Sequence, residues 1–109
     1  MFSAVLIALA LAAGANPTDA PRKEFSQCMD KFVRKSLDAK MPASSFDKGL
    51  APACAAAENA LRQASVNYDV QDGVARPEAE KYINDEISDL QTNVKAMYAQ
   101  YLETGTKPD

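Results

Sequence analysis

Apolar and polar residues alternate with a helical period over three stretches of the chain. From about Arg22 to Lys40, Phe25, Cys28, Phe32 and Leu37, with Met29 and Val33 alongside, form one apolar stripe at spacings of three, four and five. Pro21 stands where a first turn tolerates proline. Pro42 ends the stretch, because a residue preceding proline avoids the helical region. The second stretch, 45–72, carries Phe46, Leu50, Cys54, Ala57, Leu61, Ala64 and Tyr68 on one face. Ser44-Ser45-Phe46-Asp47 opens it as a capping box with Asp in place of Glu, and Asp72-Gly73 closes it with Gly73 as a left-handed cap. Pro52 interrupts this stretch. It removes one backbone donor and meets the carbonyl of Lys48, at a cost of about 3 kcal/mol inside a helix. The stripe nevertheless keeps its phase, so the spacing predicts either a kink or a break near Pro52, eased by Gly49. The third stretch, 77–103, starts with Pro77 and the first-turn acids Glu78 and Glu80. Its stripe is Ala79, Tyr82, Ile83, Ile87, Leu90, Val94, Met97, Tyr98, Tyr101 and Leu102, and Gly105 and Pro108 end it.

Three amphipathic helices joined by short links predict an all-α fold, a small antiparallel three-helix bundle. Residues 22–104 form its single helical domain. Residues 16–21, with two prolines and no apolar period, are expected to be a flexible mature N-terminus, and 105–109 a C-terminal tail.

The segment ahead of the first helix is different in kind. Ala4 to Ala15 is an unbroken run of apolar and small residues, too short for the roughly 20 residues of a membrane span, and it ends in Ala13-Gly14-Ala15. It reads as a signal peptide, residues 1–15, cleaved after Ala15, although Met1-Phe2-Ser3 lacks the usual basic residue. The expected location is therefore periplasmic or secreted. No second apolar run follows, so no transmembrane segment is expected in the mature chain.

Export changes the meaning of the two cysteines. In an oxidising compartment an even pair is read first as a disulfide. Cys28 lies about 20 Å of helix before the turn near Met41, and Cys54 about 15 Å after Ser44, at a rise of about 1.5 Å per residue. On antiparallel helices these heights match, so a Cys28–Cys54 staple across the first hairpin is expected. The chain-entropy account assigns such a loop of about 27 residues roughly 3.5 kcal/mol.

Composition narrows the chemistry. The 109 residues include 12 Lys and Arg, 15 Asp and Glu, and no His, for a net charge of −3. Without His there is no Ser-His-Asp or Cys-His nucleophile system and no His-ligated metal. The acidic balance disfavours a nucleic-acid partner. Charge is uneven: residues 22–48 hold seven basic and four acidic groups, and residues 49–109 hold five basic and ten acidic. The first helix thereby complements the third, with a basic face for an anionic headgroup or polymer as the sharper alternative.

Four residue groups invite a site. Asp85, Glu86 and Asp89, with Glu78 and Glu80 nearby, could hold a divalent cation or act as acid and base. They lack a calcium loop and a cleft, so a solvated face is the plainer reading. Tyr68 and Tyr82 should be close to each other, whereas Tyr98 and Tyr101 lie about 24 Å further along the third helix. The four cannot share one pocket, and core packing is expected. Arg62 and Arg76 are candidates for an anion near the second turn. Asn16-Pro17-Thr18 fails as a glycosylation acceptor because its middle residue is proline. No catalytic residue, metal ligand or cofactor is assigned.

The run from Phe25 through Cys28, then Phe46, Leu50 and Ala53-Cys54, and the acidic, tyrosine-rich third helix resembles small uncharacterised exported proteins of alphaproteobacteria. The resemblance covers most of the mature chain and implies no activity, cofactor or site. The expected function is non-enzymatic: binding or scaffolding in the periplasm or cell envelope, with an unknown protein or envelope component as partner and homodimerisation through the third helix as an option. The alternatives are a chaperone-like or stress protein using an apolar helical groove, and a carboxylate-based envelope hydrolase.

Overall fold

The computed structural model describes residues 16–109, and the chain there is all-helical. The helices are α1 Asp19–Asp38, α2 Ala43–Ala53, α3 Ala55–Gln71 and α4 Arg76–Thr104. No strand occurs among the described residues. The expected three helices are thus four, because the middle stretch is broken in two. The predicted leader, 1–15, lies outside the described residues.

The break sits at Cys54, two residues past Pro52, where the backbone leaves the helical region at φ −117°, ψ 23°. Pro52 leaves Lys48 without its usual donor, and α2 ends within a residue of it. Gly49 plays another part than expected. It sits inside α2, where a Cβ would meet the Phe32 ring at 3.0 Å. Its lack of a side chain lets α1 approach α2.

The helix ends follow from local chemistry. Asn16 Oδ1 accepts from the Thr18 amide at 2.8 Å and from its hydroxyl at 2.7 Å. This fold starts α1 at Asp19, so Asp19–Pro21 form its first turn rather than a flexible lead. Pro21 is tolerated there because a first-turn N–H has no helical partner. At the far end of α1, the Met41 amide donates to Ser36 O and the Lys40 amide to Leu37 O, with Lys40 at φ 54°. The same double return closes α3, from Val74 to Asp69 O and from Gly73 to Val70 O, with Gly73 at φ 93°. Gly73 fulfils its predicted role, while Lys40 adopts a conformation that usually calls for glycine.

The core collects Phe25, Met29 and Val33 from α1, Phe46 and Leu50 from α2, Cys54 at the break, Leu61 and Val66 from α3, and Ala79, Ile83, Ile87 and Tyr98 from α4. Helix α4 packs along both α2 and α3, and α1 packs against the same two helices. The Phe46 ring stacks on Tyr98, with centroids 3.9 Å apart, and on Phe32 at 5.2 Å. The expected disulfide is present: Cys28 and Cys54 are bonded, with Cα atoms 5.9 Å apart. It ties α1 to the junction of α2 and α3. The stripes are narrower than the spacing predicts. Tyr68, Tyr82, Met97 and Leu102 are exposed, and past the break the buried positions shift to Ser65 and Val66.

Candidate binding groove and polar cleft

Helices α1 and α4 touch each other less than either touches the middle pair, and the furrow between them is an apolar concavity. Its inner hollow, about 200 Å³, is lined by Met29 and Val33 of α1 and Leu90, Val94, Met97 and Tyr101 of α4. Met97 is 47% exposed. A second hollow of about 320 Å³ continues past Tyr101 between Leu37 and Leu102. The i, i+3 and i+4 spacing of Leu90, Val94, Met97 and Tyr101 puts them on one edge of α4, and the core face of α1 supplies the opposite wall.

The chain's own tail crosses this furrow. Pro108 lines the inner hollow, and Gly105, Thr106 and Lys107 line the outer one. Gly105, at φ 70°, turns the chain out of α4. Arg34 donates to Pro108 O at 3.3 Å and to Asp109 O, while its Nε donates to Asp30 at 2.9 Å. Lys107 donates to Asp38 at 2.9 Å. The stretch that the sequence marks as a plain tail is therefore held along α1 through two basic side chains. The sequence signal for this was thin: a proline after the helix end and an Arg on the outer face of α1.

A second concavity, about 220 Å³, lies where the start of α1 meets the end of α3 and the start of α4. One wall is a chain of polar contacts. Thr18 is buried, and its hydroxyl accepts from Arg22, which in turn grips both oxygens of Glu86 at 2.9 and 3.1 Å. The hydrogen bond to Glu86 raises the Arg22 pKa, against a smaller lowering by partial burial. Tyr68, Asp69, Tyr82 and Ser65 supply the other walls.

The remaining predicted candidates are dispersed. Asp85 pairs with Lys81 at 2.7 Å, a bond that raises the lysine pKa, and Glu86 is held by Arg22. Asp89 stands exposed, and among the described residues no group of three or more acidic or sulfur ligands is poised around a metal position. The tyrosines divide as their spacing requires. Tyr68 and Tyr82 meet at the polar cleft, Tyr98 is in the core, and Tyr101 edges the apolar furrow. Burial raises the Tyr98 phenol above its ordinary value. Arg62 is no free anion site: it donates to Asn84, Asn59 and Glu58, each at 2.8 Å, and Gln91 holds the second Glu58 oxygen at 2.6 Å. Arg76 lines one shallow hollow with Arg62, Val66 and Glu80.

No family model, curated protein or solved structure matches the chain. None of the described helices is long and apolar enough to cross a membrane.

Proposed function

We propose that the protein is an exported, non-enzymatic binding module of the periplasm or cell envelope that takes an extended apolar segment of a partner polypeptide in the furrow between α1 and α4. The observation that carries this reading is the chain's own tail. Pro108 already lines the furrow, outside any helix, with Arg34 donating to consecutive main-chain oxygens. A furrow that holds one extended segment by a side-chain apolar contact and main-chain acceptors has the chemistry to hold another. Met29 and Met97 in the lining suit segments of varied shape, because methionine is unbranched and adaptable. Two of the carboxylates that a hydrolase could use, Asp85 and Glu86, are held in ion pairs by Lys81 and Arg22, which favours binding over turnover.

The test is site-specific photo-crosslinking in the native host. A photoreactive residue at Met97 should give discrete adducts from the envelope fraction, and the same residue at exposed Glu24, outside the furrow, should give none. The mature mass should correspond to a chain starting at Asn16. Equal labelling at both positions, or adducts only from the cytoplasm, would overturn the reading. A chaperone-like role is the second reading, favoured by exposed Met97 and Leu102. It is distinguished by many adducts in place of a few, and by suppression of client aggregation. A single adduct at twice the chain mass would identify a homodimer through α4.

A further inference from the structure

The polar cleft between α1, α3 and α4 is independent of the furrow and has its own chemistry. Its first wall is fully spent. Asn16 Oδ1 is taken by Thr18, the Thr18 hydroxyl by Arg22, and Arg22 and Glu86 neutralise each other in a two-point contact. The side chains of that wall carry no net charge.

The unspent groups lie opposite. Asp69 has no side-chain partner among the described residues, so this side of the cleft is negative, while in a chain cleaved after Ala15 the α-ammonium of Asn16 belongs to the first wall. Tyr68 and Tyr82 are 41% and 55% exposed, the two exposed large aromatics among the described residues, and both face this one cleft. Ser65 is 7% exposed, and its hydroxyl has no hydrogen-bond partner. A buried hydroxyl without a partner loses the hydrogen bonds that water gave it. Ser65 lines a cleft large enough for several non-hydrogen atoms, since a water molecule takes about 30 Å³ of liquid, and its hydroxyl sits beneath that surface.

Aromatic faces attract a cation through the negative face of their ring electrons, and they hold a desolvated organic ammonium better than a hydrated metal ion. A carboxylate beside them adds charge selectivity. A buried hydroxyl further in adds one directional contact. An anion would meet Asp69, and a neutral apolar molecule would gain nothing from it.

We propose that this cleft is a binding site for a small organic ammonium ion bearing a hydroxyl or ether oxygen. The cationic end lies against Tyr68 and Tyr82 near Asp69, and the oxygen reaches Ser65. Two sources share this chemistry, a free amino alcohol and the headgroup of a choline lipid.

The experiment is a titration of the full chain with choline, followed by NMR on the tyrosine ring signals, beside its neutral isostere 3,3-dimethyl-1-butanol. Choline should give a saturable shift of the Tyr68 and Tyr82 signals and leave those of buried Tyr98 in place. The isostere should bind at least tenfold more weakly. Asp69→Asn should weaken choline about fivefold or more, and Tyr82→Ala about tenfold. Ser65→Ala should weaken binding while leaving the folded spectrum intact, which separates a ligand contact from a folding role. The proposal is overturned by the absence of saturation, by equal affinity for the isostere, or by an Asp69→Asn variant that binds choline as well as the parent. Cosedimentation with phosphatidylcholine vesicles would identify the lipid headgroup as the source, and binding of free choline alone would identify the solute. Either outcome supports the site. Loss of furrow crosslinking at Met97 has no bearing on it, so the two readings fail separately.

Discussion

Tyr98 donates its phenolic hydrogen to the main-chain oxygen of Met41 at 2.6 Å. The bond joins the middle of the last turns of α4 to the link between α1 and α2, and the ring beneath it is fully buried against Phe46. Tyr98→Phe keeps the stack and removes the bond, so it should lower stability by about 1 kcal/mol in urea unfolding. Tyr98→Ala also empties the site and should cost roughly 3–5 kcal/mol. The pH dependence follows from the raised phenol pKa. Below the unfolded value of about 10 the contribution is fully present. Above it the unfolded chain releases its proton first, so stability falls as pH rises through the folded value. The difference between parent and Tyr98→Phe unfolding curves from pH 9 to 12 should show this loss, and a flat difference would contradict it.

The Cys28–Cys54 bond should dominate the stability of the chain. Converting both residues to Ala, or reducing the bond, should cost roughly 3.5 kcal/mol on the chain-entropy account. Urea midpoints with and without reductant give the number. The Ala pair should be insensitive to reductant, which separates the bond from other effects of the reagent.

Lys40 occupies the left-handed position that closes α1. Replacement by Gly relieves the backbone and retains the Met41-to-Ser36 and Lys40-to-Leu37 returns, which use main-chain atoms. The variant should gain about 0.5–1 kcal/mol in urea unfolding. Gly73→Ala places a side chain at φ 93° and should move stability the other way.

Arg34→Ala should free the tail without unfolding the helices. The side chain is about half exposed and holds Asp30 as well as the two tail oxygens, and exposed pairs of this kind contribute little to global stability. Lower backbone order by NMR relaxation at Thr106, Lys107 and Asp109, with α4 up to Met97 unchanged, is the expected outcome. An apolar dye should bind the variant more strongly, because the inner hollow loses Pro108 from its lining.

The helices were legible in the sequence because Phe25, Met29, Val33, Phe46, Leu50, Leu61, Ile83 and Ile87 recur with the period of a buried face. The disulfide was legible from an even cysteine pair behind an apolar leader, with helix lengths putting the two at matching heights. What escaped was geometry that period does not encode. A proline two residues before Cys54 does not say on which residue a helix ends. The shift from Ala64 to Ser65 and Val66 as inward positions depends on the bend at that break. Tyr82 and Met97 lie at the border of the α4 stripe, where spacing cannot separate a core residue from a rim residue. The polar cleft joins residues from 16 to 86 whose pairing, Arg22 with Glu86 above all, depends on how α1 lies against α4. The paired tyrosines were the one part of that cleft visible beforehand.

The position of the disulfide has a consequence for a chain exported as proposed. Cys54 marks the hinge between α2 and α3, and its partner is on α1, so closing the bond restrains three helices at one point. Before the bond forms, in a reducing cytoplasm, the same chain lacks roughly 3.5 kcal/mol, which multiplies its unfolded fraction about 300-fold. Against a whole stability of order 5–15 kcal/mol that is a large share, so the reduced chain opens far more often. For a chain exported as proposed, oxidation after passage would tie those three helices together on arrival.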